Sequence, residues 1–119
     1  MSELQTALES TVERATPASL PLVLVAAADA GARERRLRQL RARGFRVTLA
    51  RTGFEAIVKA CCQLPDLIML DTSLDMAGDC DAPGLLATCP ATAHIPVVQL
   101  RTSGRLPMRM LANLRRAMA

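Results

Sequence analysis

Leu64-Pro65-Asp66-Leu67-Ile68-Met69-Leu70-Asp71 is the stretch whose reading decides the fold. Pro65 and Asp66 end one element, an apolar run follows, and a carboxylate closes it. A short apolar run behind a turn signal is the pattern of a strand buried on both faces, as in a parallel sheet. Open parallel sheets gather ligands and chemistry at the carboxyl ends of their strands. Asp71 therefore stands at a strand tip, where a side chain reaches a ligand.

The flanking segments repeat the pattern. Residues 20–25 form a second buried strand, with Pro21 tolerated only near its start. Residues 26–31 are a loop of very small side chains. A helix over about 32–43 turns Leu37 and Leu40 inward and closes on Gly44. In residues 45–50, Phe45, Val47 and Leu49 alternate with Arg46 and Thr48, as in a strand nearer an edge. Thr52 caps a helix reaching about residue 63, with Ala56, Ile57, Ala60 and Cys61 on its inner face. After Asp71 a long loop runs over 72–83 and contains Asp75, Asp79 and Asp81. A short helix over 83–88, a strand over 95–100 entered through Pro96, and a helix over 108–118 complete the order. Strands alternating with helices through short links imply right-handed crossovers and a parallel sheet. Ahead of this, residues 2–15 carry Leu4, Ala7, Leu8, Thr11, Val12 and Ala15 on one helical stripe, and Thr16-Pro17-Ala18-Ser19 breaks it. The expected organisation is thus an amphipathic helix with linker over 1–19 and a domain over 20–119.

Composition narrows the function. The chain has 119 residues, half of them hydrophobic, but only two aromatic ones, Phe45 and Phe54. Its core must be aliphatic, and it lacks the aromatic platform on which single-stranded nucleic acid stacks. No apolar run approaches the ~18 residues of a membrane span, so no membrane insertion is expected. Glu3, Glu9 and Glu13 do not fit a signal peptide, and a cytoplasmic location is expected. Cys61, Cys62, Cys80 and Cys89 have neither zinc nor disulfide-framework spacing and read as free thiols. The net charge of +4 comes from arginine, seven of them between Arg33 and Arg46. These form either a phosphate-binding patch or a solvated helix face, with Arg35, Arg38 and Arg41 as the outward members. His94, the sole histidine, has no acidic or thiol neighbour at useful spacing and reads as structural or solvated.

The order of these residues resembles the receiver domain of two-component response regulators. The resemblance runs over roughly 20–102. It rests on Leu22-Val23-Leu24-Val25 before a small loop, Gly44-Phe45-Arg46-Val47, Thr52-Gly53-Phe54-Glu55-Ala56, the stretch ending at Asp71, and Ile95-Pro96-Val97-Val98. It implies an α/β, flavodoxin-like (CheY-like) three-layer sandwich. It also implies that Asp71 stands at the phosphoacceptor aspartate. In that family magnesium is held by this aspartate, by an acidic pair after the first strand, and by a carbonyl two residues on, here Ser73. A Thr or Ser ending the fourth strand and a Lys ending the fifth grip the phosphoryl oxygens.

Most of that equipment is replaced here. The acidic pair falls on Ala27 and Ala28, with Asp29 one place later, and a one-residue deletion in the helix would move Asp29 into the pair. The Thr/Ser position falls on Arg101, whose guanidinium would hold Asp71 ionised and fill the phosphoryl space. Asp75 stands for a proline, and Asp79 for a glycine. After Arg101 too few residues remain for a helix, a strand and a helix. Leu106-Pro107 resembles the family's Lys-Pro with Leu106 at the lysine position, so the fourth helix and fifth strand are expected to be missing; alternatively the tail is the fourth helix. Either way the fourth strand loses a neighbour, and an open edge invites pairing.

Phosphoryl transfer to a carboxylate needs positioned cations to offset the charge brought together. The expectation is therefore a stand-alone, degenerate receiver, not an enzyme, with no catalytic residue, no metal and no cofactor. It would act by phosphorylation-independent contact with a protein partner, such as a sensor kinase or another signalling protein, and as a homodimer. One alternative is a true phosphoacceptor, with magnesium, phosphorylated on Asp71 by a histidine kinase. Another is arginine-mediated binding of a nucleotide or nucleic acid, although nucleic acid is not the expected partner.

Overall fold

Short apolar runs alternating with amphipathic segments build a parallel sheet between two helical layers. The structure, a computed structural model, describes residues 20–74 and 81–118. In chain order the elements are β1 (Leu22–Ala26), α1 (Ala30–Ala42), β2 (Arg46–Ala50), α2 (Gly53–Gln63), β3 (Leu67–Asp71), α3 (Ala82–Thr88), β4 (Val97–Leu100) and α4 (Met108–Met118). All strand pairs are parallel and the order is β2-β1-β3-β4. The order reverses between β1 and β3, and the crevice beyond their carboxyl ends is where such sheets bind ligands. The expected helix over 2–15, and Asp75, Asp79 and Cys80, lie outside the described residues.

Period-two alternation divides the core. Val23, Val25, Leu67 and Met69 point to one face and pack with Leu40 of α1, Phe45, Leu106, and Leu111 of α4. Leu24, Ala26, Ile68 and Leu70 point to the other and meet Ala56 and Ala60 of α2 with Ala82 and Leu86 of α3. β3 is buried at every residue, Asp71 included, as its unbroken apolar run requires. Asp66, read as a turn residue, also ties two strands together: its carboxylate accepts the Leu22 N–H at 2.9 Å, and its own N–H reaches the Leu22 carbonyl at 2.8 Å.

Local chemistry sets the helix ends. Asp29 caps α1 by accepting the Ala32 N–H at 2.8 Å, so the helix starts at Ala30, two residues before the expected 32. At the other end Gly44 takes φ +87°, its N–H reaches the Arg41 carbonyl, and the Phe45 N–H reaches that of Leu40. This is a Schellman closure with Leu40 and Phe45 in hydrophobic contact, and it moves the start of β2 from 45 to Arg46. Thr52 caps α2 through the Glu55 N–H, as expected. Leu64 ends α2 in the left-handed region at φ 48°, an unusual place for a branched side chain.

Beyond β4 the backbone turns through 101–107 directly into α4, with no strand between them. Leu111 of α4 lies in the cluster of the α1 face, with Leu40, Phe45 and Leu106. Among the described residues β4 has a neighbour on one side only. No described helix is long and apolar enough to cross a membrane.

Candidate functional site

Asp71 ends β3 with 5% of its surface exposed. Its Oδ1 accepts the Thr102 hydroxyl at 2.7 Å and the Ser73 N–H at 2.7 Å. Its Oδ2 is buried and meets no donor among the described residues. Burial pushes this carboxyl up. The bonds from Thr102 and Ser73, with the nearby charge of Arg36, outweigh that and hold Asp71 below the ordinary carboxylate value.

The cation is the surprise of the site. Arg36, in the middle of the arginine run, is only 3% exposed. Its Nη2 donates to the carbonyls of Gly104 at 2.6 Å and Arg101 at 3.1 Å, and its Nη1 reaches Gln39 Oε1 at 3.4 Å. Arg35 donates to the Thr102 carbonyl at 2.6 Å, and Arg33 to the carbonyls of Ala27 at 2.8 Å and Ala28 at 3.1 Å. Three members of the run thus fasten the loops at the carboxyl end of the sheet. The reading of the run as a solvated face holds for Arg38 and Arg41, which are exposed, but fails for these three. A signal was present: Arg36 falls four residues after Ala32 and four before Leu40, and all three are buried on one stripe.

The other expected site residues disperse. The position facing Asp71 from beyond β4 is Thr102, not Arg101. Arg101 is exposed at the rim, and the cation acting on Asp71 is Arg36. The reason is register: Leu100 pairs with Asp71 and its carbonyl takes the Thr72 N–H, so the turn that follows delivers the second residue, Thr102, to the carboxylate. Ala27 is buried at the end of β1 and Ala28 is exposed, and neither offers a side-chain oxygen. Asp29 is engaged in the cap of α1. Ser73 accepts the N–H groups of Ala28 at 3.0 Å and Asp29 at 3.4 Å, so it ties the loop after β1 to the loop after β3. Leu106 is buried among Phe45, Leu40 and Leu111 and anchors α4.

Magnesium would ask for several oxygen ligands in a near-octahedral array. Asp71 with the two alanines does not fit that demand, and among the described residues no three His, Cys, Asp or Glu side chains come together for a metal ion. What the crevice does present is positive. Arg35, Thr72, Arg101, Thr102 and Ser103 line an open cleft of about 810 Å³ beside Asp71.

No family model matches the sequence, and no curated protein matches it. Solved structures do resemble it. The N-terminal domain of a response regulator receiver protein from Methanoculleus marisnigri JR1 is 24% identical, with TM-score 0.64 over 81% of this chain and 78% of that one. The chemotaxis response regulator CheY4 of Vibrio cholerae is 19% identical, with TM-score 0.63 over 84% and 81%. A response regulator receiver protein from Pseudomonas putida is 21% identical, with TM-score 0.61 over 84% and 80%. The fold is therefore the flavodoxin-like, CheY-type fold of receiver domains.

The Asp71 bonds carry a pH dependence. A carboxyl held below its ordinary value contributes stability that is present above the unfolded-state value, about 3.9, and is lost as pH falls through the folded one. Thr102→Val should cost about 2 kcal/mol at neutral pH, the worth of a bond to a charged group, and, by raising the folded-state value towards the unfolded one, shrink the part of the stability that is lost in acid. Chemical denaturation across the acid range reads both effects. An unchanged acid limb would mean that Thr102 does not hold the carboxylate.

Proposed function

We propose that this chain is a degenerate receiver that signals through contact with another protein, without phosphorylation of Asp71. The observation that carries this reading is the state of Asp71. It is enclosed, its Oδ1 already accepts Thr102 and Ser73, and alanines stand where metal-holding acids are needed. An in-line phosphoryl donor needs both an open carboxylate oxygen and cations arranged around the transferring group. Arg36 is close enough to act on Asp71, but it is committed to the carbonyls of Arg101 and Gly104. On this reading the protein is not an enzyme and needs no cofactor, and Asp71 is a structural counter-charge. Incubation with acetyl phosphate and magnesium should leave the intact mass unchanged. A stable gain of one phosphoryl group that disappears in Asp71→Asn would instead make it a phosphoacceptor.

A second copy of the chain is the contact we propose first. The outer edge of β4 presents backbone donors and acceptors, and Met108 and Met110 of α4 are exposed beside Pro107. An open edge next to an adaptable apolar surface favours self-pairing. Light scattering over a range of concentrations should give a dimer mass. A monomer at every concentration would direct that surface to a different protein.

The cleft favours one further reading, the binding of an oxyanion. Two guanidinium groups and three hydroxyls line it, and Arg101 has no acidic partner among the described residues. Such a set recognises phosphate groups. Calorimetric titration with pyrophosphate and with a cyclic dinucleotide should give binding that weakens with salt and in Arg101→Gln. Absence of heat with both ligands would retire this reading.

A further inference from the structure

We propose that Cys61 and Cys89 form a peroxide-reactive thiol pair that closes into an intramolecular disulfide between α2 and α3. Nothing in their sequence spacing links them. The fold does: the inner face of α2 meets α3 through Ala56, Ala60, Ala82 and Leu86. Cys61 lies in the last turn of α2, and Cys89 is the C-cap of α3. Each thiol is the other's neighbour across that contact. Both are reduced, Cys61 exposed and Cys89 half-buried, so a small oxidant reaches them. Thiols at the adjoining ends of two packed helices can be bridged where their Cα atoms lie within about 7 Å.

Their surroundings give them different roles. After α3 the chain turns back over Cys89: the N–H groups of Thr92 and Ala93 close on its carbonyl at 3.0 and 2.8 Å. The Ala91 N–H acts most strongly on its sulfur, followed by the side chain of Thr92, whose hydroxyl also bonds the Leu86 carbonyl at 2.8 Å, with the Cys61 thiol a further neighbour. These donors favour the thiolate and hold Cys89 below the ordinary thiol value. Burial, and then the neighbouring Cys89, push Cys61 up, so it remains the protonated partner.

The chemistry follows from that asymmetry. The Cys89 thiolate attacks one oxygen of hydrogen peroxide; the O–O bond breaks, hydroxide leaves, and a sulfenic acid forms on Cys89. Cys61 then gives up its proton and attacks the Cys89 sulfur. The S–O bond breaks, the S–S bond forms, and the departing hydroxide takes up a proton as water. Two thiols and one peroxide thus yield one disulfide and two waters. The bridge pins the end of α3 to the end of α2, on the face opposite α1 and α4. Cys62, although adjacent to Cys61, is not among the groups that donate to the Cys89 sulfur.

The full-length reduced protein is treated with substoichiometric hydrogen peroxide and mapped by mass spectrometry without reduction. The expected result is a monomer that has lost two hydrogens, a linked peptide containing Cys61 and Cys89, and reversal by dithiothreitol. Cys61→Ser, at an exposed position, should fold and accumulate a sulfenic acid on Cys89 that dimedone captures. Linkage through Cys62 or Cys80, linkage between chains, or a sulfenic acid on wild-type Cys89 that never closes would each overturn the proposal.

Discussion

A buried guanidinium governs the carboxyl end of this sheet. Arg36 is nearly as inaccessible as the aliphatic core beneath it, and a charge in such a place persists only with compensation. The compensation comes from two directions. The carbonyls of Arg101 and Gly104 take its protons, and the carboxylate of Asp71 supplies the opposite charge. Asp71 in turn holds Thr102, so helix α1, the tip of β3 and the turn after β4 are joined by one polar network. Removing any member would leave another uncompensated, which is why such a network persists as a unit.

That network encloses the aspartate at the strand tip. In an open crevice such a carboxylate is a reactive group; here it is enclosed and already bonded. Arg33 and Arg35 extend the same principle, fastening the backbone after β1 and after β4 through its carbonyls. The described residues leave two surfaces for other roles: a basic cleft over the crevice, and the outer edge of β4 beside the exposed methionines of α4. Leu106, packed with Leu40, Phe45 and Leu111, secures α4 to the core.

The sequence by itself determined the architecture. The run Leu67–Asp71, the helical stripe of Ala56 and Ala60, the glycine at 44 and the cap at Thr52 are local statements, each set by periodicity or by the geometry of one turn. Such signals sum to strand order and layers because short parallel crossovers leave few alternatives. Element ends shifted by a residue or two where a side chain capped a helix or a closure consumed an N–H, as at Asp29 and Phe45. Asp71 was legible as the site for the same reason: a charge ending an apolar run is visible in one dimension.

Its partners were not legible, because they meet through register and helix rotation, which spacing along the chain does not encode. Counting along the chain put Arg101 opposite Asp71; the pairing of Leu100 with Asp71 put Thr102 there. The arginine run looked uniform in sequence, whereas rotation about α1 buried Arg36 and left Arg38 exposed. Likewise Cys61 and Cys89 are distant in the chain, and only the packing of α2 on α3 makes them neighbours. Local propensity chose the elements; tertiary packing chose which polar atoms face one another, since burial forces each of them to find a partner.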